Sequence, residues 1–248
     1  MNLKDEWQNF YSNIKDESWP ICDDIDDILN LPLHIQLEII KTHLFKNRYD
    51  RLRNNTAHID PNISNFLYYI DDIKNLIGSK NCLMNTQDVL FLYSILISKR
   101  PDNILEIGRF NGWSTAIIYG ACQDNNRGSL YSIDIHDNVP TGIKEIVKNR
   151  VTFINQSSED LLTIAEIKDL KFDVFFIDGD HSYDIVLSDL VQSSQIANSQ
   201  AWFLMHDADC EEVISAIDTF LKSRNDIIEC GIYGEKIKLL YKNKSKPS

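Results

Sequence analysis

The stretch Asn103 to Thr115, NILEIGRFNGWST, constrains the fold of this chain more than any other. A short apolar run, Ile104 to Ile107, breaks into a loop bearing Gly108 and Gly112 and then into a helix start. Glycines at such positions let the backbone turn sharply and approach a ligand, and the helix that follows offers unpaired N–H groups at its N-terminus. A nucleotide-type cofactor is the natural occupant. Glu106 stands at the carboxyl end of the strand, where open α/β sheets bind ligands, so its carboxylate is expected to face the crevice. There it would repel a pyrophosphate and attract an ammonium group. The spacing lacks the third glycine of the G-x-G-x-x-G fingerprint, which disfavours a nicotinamide cofactor. An ordinary strand-to-helix turn carries similar glycines, so the reading needs support from the rest of the chain.

That support comes from the alternation of elements after Asn85, the pattern of a mostly parallel sheet covered on both faces. Asn85 or Thr86 caps a helix that runs to Lys99, apolar nearly all round and therefore expected to be buried, with Pro101 ending it. Strands are predicted at Ile104 to Ile107, Leu130 to Asp134, Val151 to Ile154, Phe172 to Asp178 and Trp202 to His206. Helices are predicted near Trp113 to Cys122, Gly142 to Asn149, Glu159 to Ile167 and Tyr183 to Ile196. Asp209 followed by Glu212 reads as a capping box opening a helix to Lys222. The runs Ile227 to Tyr233 and Lys236 to Tyr241, joined by a glycine-containing turn, close the sheet as an antiparallel hairpin. A Lys/Ser tail from Lys242 is expected to be disordered.

Residues 1–82 have a different texture, rich in Asp, Asn, Leu and Ile, and read as a helical cap ahead of a main domain over 83–248. Leu31 to Asn47 and Asn65 to Ile77 are its candidate helices, the second on the spacing of Phe66, Ile70, Ile73 and Ile77. Cys22 to Asp27 is an acidic, solvated run. Lys41, Lys46, Arg48, Arg51 and Arg53 form the one basic stretch, suited to a phosphate or carboxylate or simply to water.

A length of 248 residues with 43% hydrophobic content suffices for a sizeable core. The net charge of −12 argues against nucleic acid as a partner, because that binding draws on lysine and arginine contacts to phosphate. Five scattered cysteines without C-x-x-C spacing indicate neither a disulfide framework nor a zinc site and fit a reducing cytoplasm. The N-terminus lacks the apolar segment of a signal peptide, and no apolar run is long enough for a bilayer, so a soluble protein is expected.

Chemistry gathers at the strand ends. Asp134 ends the second strand, where a carboxylate can accept from both ribose hydroxyls. Ser157, Ser158 and Glu159 follow the third and can meet an adenine edge or simply cap a helix. The fourth ends in Asp178-Gly179-Asp180-His181 and the fifth in His206-Asp207. If these ends are neighbours, Asp178, His206 and Asp207 offer carboxylates and an imidazole to a divalent metal, Mg²⁺ first, with Mn²⁺ or Fe²⁺ as alternatives.

The motifs ILEIGRFNGWS, VTFINQSSEDLL and FFIDGDHSYD resemble those of class I S-adenosylmethionine-dependent methyltransferases, within them the metal-dependent small-molecule O-methyltransferases that include the catechol and macrolide-sugar enzymes. The resemblance covers Leu83 to Tyr241 and implies a Rossmann-like α/β fold, doubly wound. It implies Glu106, Gly108, Phe110 and Ser114 around the methionine part of the cofactor, Asp134 on its ribose, and Ser158 and Glu159 at its adenine, with Asp178 alongside. Asp178, His206 and Asp207 fall on the family's metal positions, and His181 on its general base. Many relatives have a carboxylate or amide where this chain has His206. The implied partner is a small-molecule hydroxyl acceptor, a sugar or a phenol, and the oligomeric state stays open, a homo-oligomer among the options. Alternatives are a nicotinamide-dependent oxidoreductase and a non-catalytic cofactor-binding protein.

Overall fold

Helix and strand alternate from Thr86 onward as the sequence pattern predicts. The structure, a computed structural model, describes residues 61–243. The helix predicted over Leu31 to Asn47, the acidic run Cys22 to Asp27 and the basic stretch Lys41 to Arg53 lie outside the described residues. Helix α1 (Pro61–Ile77) is followed by α2 (Thr86–Lys99), β1 (Asn103–Ile107), α3 (Trp113–Asp124), β2 (Ser129–Ile133), α4 (Thr141–Val147) and β3 (Val151–Ile154). Then come β4 (Phe172–Ile177), α5 (Tyr183–Ile196), β5 (Ala197–Met205), α6 (Glu211–Lys222), β6 (Ile227–Tyr233) and β7 (Ile237–Lys242).

The strands form one sheet in the order β3-β2-β1-β4-β5-β7-β6, parallel from β3 to β5, with β7 antiparallel to both neighbours. This is the predicted Rossmann-like, doubly wound arrangement closed by a hairpin. Because β1 lies between β2 and β4, connections leave its end in opposite directions and open a crevice there, the usual ligand position of such sheets.

Alternation along β1 divides the two faces. Ile104 joins a core cluster with α1, α2 and α3, while Leu105 and Ile107 join another with α5 and α6. Phe175 and Phe203 stack in that second core at 4.7 Å and are fully buried. Each such side chain contributes about 1.5–3 kcal/mol by leaving water. Helix α1 is part of the first core through Ile70, Ile73 and Ile77, and the Tyr69 hydroxyl donates to the Ala116 carbonyl of α3 at 2.8 Å.

Four sequence expectations are corrected. Glu159 to Ile167 is not an α-helix: Ser158–Thr163 is a 3₁₀ turn with Asp160 off helical dihedrals. Its buried residues Leu161, Ile164 and Ile167 recur every third position, which suits a 3₁₀ period better than an α period. The capping box does not form, since Cys210 occupies the N-cap of α6 without a side-chain bond and the Asp209 carboxylate lies 3.1 Å from Lys236 Nζ instead. Strand β5 starts at Ala197, directly after α5, and its register with β4 jumps so that Phe172 pairs with Ala197 but Val174 with Trp202. Lys242 belongs to β7, its ammonium held by the Ser194 and Ala197 carbonyls, while residues 244–248 lie outside the described residues. Among the described residues no helix is long and apolar enough to cross a membrane.

Candidate active site

At the carboxyl ends of β1 to β4 lies a cleft of about 410 Å³ whose walls include Gly108, Phe110, Asp134, Ser158, Glu159 and Asp178. Gly108 makes it possible. At φ +84° it passes so close to β4 that a Cβ would stand 2.2 Å from the Asp178 carbonyl oxygen. Phe110 also has positive φ and is 54% exposed, its ring thereby turned out of the core. Asp134 fixes this loop from below: its carboxylate accepts from the backbone N–H groups of Arg109 (3.1 Å) and Phe110 (2.9 Å), and from His136 at 2.8 Å.

Glu106 does not face the crevice. It shares the sheet face of Ile104, beneath the first turn of α3, and is fully buried. Its oxygens accept from Ser114 Oγ and Thr115 Oγ1, each at 2.6 Å, and from Ser132 Oγ at 2.5 Å. Burial pushes its pKa up against these three bonds. Ser114, committed to Glu106, is buried as well. Both residues therefore brace the strand-to-helix loop.

Asp178 also borders a second group of side chains. One ligand atom each from Asp178, His181 and Asp207 falls within 4.8 Å of the others, a donor set of two carboxylates and an imidazole that fits a divalent cation. His181 Nε2 is 3.1 Å from Asp207 and 3.8 Å from Asp178, with its side chain 44% exposed. His206 stands behind them, its Nδ1 3.1 Å from Asp178 and 3.3 Å from Asp207, its Nε2 3.4 Å from Asp88. Burial opposes charge on His206, but the hydrogen bonds it donates to the three carboxylates outweigh it and push its pKa up to about 11. The hydrogen bond from His206 in turn holds Asp207 well below the usual carboxylate range.

Residues 105–208 match the family model described as a methyltransferase domain. That stretch of the chain is thus similar to a methyltransferase domain. Its fold is that of solved O-methyltransferases. One from Streptomyces achromogenes, TomG, involved in tomaymycin synthesis and solved with S-adenosylmethionine, has a TM-score of 0.56 at 14% identity, over 82% of this chain and 99% of that one. The Bacillus cereus O-methyltransferase, solved with S-adenosylhomocysteine, has a TM-score of 0.54 at 13% identity, over 82% and 100%. The Podospora anserina methyltransferase PaMTH1, also solved with S-adenosylhomocysteine, has a TM-score of 0.56 at 14% identity, over 82% and 96%. No curated protein sequence matches.

Several residues not singled out from sequence carry much of the architecture. Arg109, between the glycines, is 2% exposed, and its guanidinium donates to the carbonyls of Ser132, Ile154 and His136 and to Asn155, tying the loop to the ends of β2 and β3. Asp88, fully buried near the start of α2, accepts from the backbone N–H groups of Glu235 (2.8 Å) and Lys236 (3.1 Å) in the β6–β7 turn. Lys236 then reaches Asp207 at 3.2 Å. The available signal was an acid within the apolar run of α2 and an arginine inside a glycine loop.

Removing the carboxylate charge at Asp134 tests the cleft. Asp134→Asn is expected to weaken S-adenosylhomocysteine binding by about 1–3 kcal/mol, the worth of charge-assisted hydrogen bonds. Calorimetric titration checks this, and unchanged affinity would remove Asp134 from the binding site.

Proposed function

We propose that this methyltransferase moves a methyl group from S-adenosylmethionine to a hydroxyl of a small molecule, a sugar or a phenol, with a divalent cation, Mg²⁺ foremost. The observation that carries the reading is Asp178, which lines the cleft and also belongs to the cluster with His181 and Asp207. It puts a cofactor-sized space beside a cation-binding donor set.

In this reading the cleft's walls seat the cofactor, with Asp134 toward the ribose and Ser158 and Glu159 toward the adenine. Gly108 and Phe110 flank the methionine part, while Glu106 and Ser114 act through the loop they brace. The cofactor supplies an electrophilic methyl group on a sulfonium. Asp178 and Asp207 would hold the cation, which supplies positive charge that acidifies a neighbouring hydroxyl, while His206 behind them, held protonated by the three carboxylates, would join as the third ligand only on losing its proton. His181, on the solvent side of the two carboxylates, takes the acceptor's proton as the oxygen–carbon bond forms and the sulfur–carbon bond breaks. The acidic net charge argues against a nucleic-acid acceptor, and the free cysteines Cys82, Cys122, Cys210 and Cys230 suit a reducing cytoplasm.

The test is mass-spectrometric detection of a transferred methyl on phenolic and sugar acceptors, with Mg²⁺, with chelator and after Mn²⁺ or Fe²⁺ is restored. Transfer that stops with chelator and returns with one ion supports the reading. Full transfer in chelator refutes the cation's part. Tight cofactor binding without transfer to any acceptor favours a non-catalytic binding protein, and binding of a nicotinamide dinucleotide instead favours an oxidoreductase.

A further inference from the structure

Both oxygens of Asp207 already have partners. Its Oδ2 faces two imidazoles, with His181 Nε2 at 3.1 Å and His206 Nδ1 at 3.3 Å, while its Oδ1 accepts from the ammonium of Lys236 at 3.2 Å. A divalent ion on this carboxylate would meet like charge at close quarters, and such repulsion is strong where water is partly excluded. Whichever neighbour can move must give way.

His206 is the less able to move, because its side chain is 8% exposed and lies between Asp178, Asp207 and Asp88. Lys236 has somewhere to go. Its side chain is 39% exposed, and its Nζ lies 3.1 Å from a second carboxylate, Asp209, which is outside the donor set of Asp178, His181 and Asp207. The backbone of Lys236 is held on both sides, its N–H donating to Asp88 Oδ1 at 3.1 Å and its carbonyl accepting from the Ala208 N–H at 3.0 Å. The ammonium therefore swings on a fixed root between one carboxylate that a cation would claim and another that it would not.

We infer that Lys236 sets the affinity of the candidate cation site: its ammonium occupies Asp207 Oδ1 when no divalent ion is bound and withdraws to Asp209 when one binds. The inference rests on the proposed reading of Asp178 and Asp207 as cation ligands. It gives a reason for a lysine at a place where a cation is expected. Ligand atoms of Asp178 and Asp207 lie within 4.8 Å of each other, and two carboxylates that close repel unless positive charge compensates them. Lys236, charged at neutral pH, supplies that charge to the ion-free protein, and the ion that displaces it is held more weakly and exchanges more readily.

The test is calorimetric titration of the full chain with Mn²⁺ at physiological salt, with Tm measured in chelator and in saturating Mn²⁺. Lys236→Met, at a partly exposed position whose backbone bonds are kept, is expected to bind Mn²⁺ about tenfold more tightly, the scale on which groups bonded to a ligand change metal affinity. Lys236→Gln should behave alike. In both variants Tm should fall in chelator, where Asp178 and Asp207 lose their compensating charge, and return to that of the unaltered protein or above it in saturating Mn²⁺. Lys148→Met is the control for net charge. It removes an exposed ammonium, paired with Glu145, from the end of α4, the helix that follows β2. Strand β2 lies three strand spacings, about 14 Å, from β5, so salt should screen the change and leave Mn²⁺ affinity within about twofold.

Unchanged Mn²⁺ affinity in the folded Lys236 variants overturns the inference, as does a Tm loss that persists undiminished in saturating Mn²⁺, since Lys236 would then only brace the hairpin. An equal gain in Lys148→Met overturns it as well, by assigning the effect to net charge. Mn²⁺ bound neither by the unaltered chain nor by the Lys236 variants overturns the cation reading itself, a separate outcome, and the inference with it.

Discussion

Gly108→Ala is expected to destabilise the domain by about 3 kcal/mol or more and to abolish cofactor binding. The new Cβ would stand 2.2 Å from the Asp178 carbonyl oxygen, 2.5 Å from its carbon and 2.5 Å from Gly179 Cα, all backbone atoms that cannot swing aside. The backbone there is at φ +84°, a region that alanine enters only under strain. Relief would require β1 and β4 to part where the Asp178 N–H donates to the Ile107 carbonyl at 2.8 Å, and that would carry the Asp178 side chain out of place. For a domain of this size the change lowers Tm by roughly 6–12 °C. Gly179→Ala is the control. A Cβ there meets Ile107 Cγ2 at an ordinary 3.5 Å, and its Tm should stay within a degree or two of the unaltered protein. Similar Tm values for the two variants would show that the close approach of β1 to β4 is not what Gly108 provides.

His181→Ala should lower kcat by about a hundredfold to ten-thousandfold, the usual worth of general-base catalysis, while leaving S-adenosylhomocysteine affinity nearly unchanged. The structure makes a second readout necessary, because the same imidazole lies within 4.8 Å of the ligand atoms of Asp178 and Asp207. A base can be lost without loss of the cation, whereas a ligand cannot. Mn²⁺ affinity measured by calorimetry should therefore be close to normal in the variant if His181 is the base. A tenfold or larger loss of Mn²⁺ affinity would make His181 a ligand and leave the proton to another group. A variant with near-normal kcat and normal Mn²⁺ affinity would remove His181 from the chemistry altogether.

The fold was legible because its signals are local. Ile104 to Ile107 and Phe172 to Ile177 are apolar runs cut off by glycine and acid, and the helices between them carry inward stripes that no other architecture covers as well. Strand ends were legible for the same reason, and Asp134, Ser158, Glu159 and Asp178 do line one cleft. Glu106 shows what local pattern omits. Its place at the end of β1 was correct, but which way its side chain turned depended on Ser114, Thr115 and Ser132 arriving on one face of the sheet to meet it. Asp88 and Arg109 were hidden more deeply, since each looks like an ordinary charged residue until its burial is known. The 3₁₀ turn after β3 was misread because an every-third-residue apolar spacing fits a helical template loosely over a short run.

Asp88 sets a limit on how modular this domain is. Hairpins at a sheet edge are commonly regarded as interchangeable parts, since they pair with one strand and end in solvent. Here the tip of the β6–β7 hairpin is fastened through Asp88 to α2 and, by the same carboxylate, to His206. Gly234 is obligatory at that tip, because a Cβ would stand 2.2 Å from Asp88 Oδ1. A hairpin grafted from a relative must therefore bring a matching helix start, or the graft will shift His206 and Lys236 together. The start of α2, the tip of the hairpin and the end of β5 therefore make one mechanical unit, although they lie far apart in sequence, and a change in one of them is expected to need a matching change in the others.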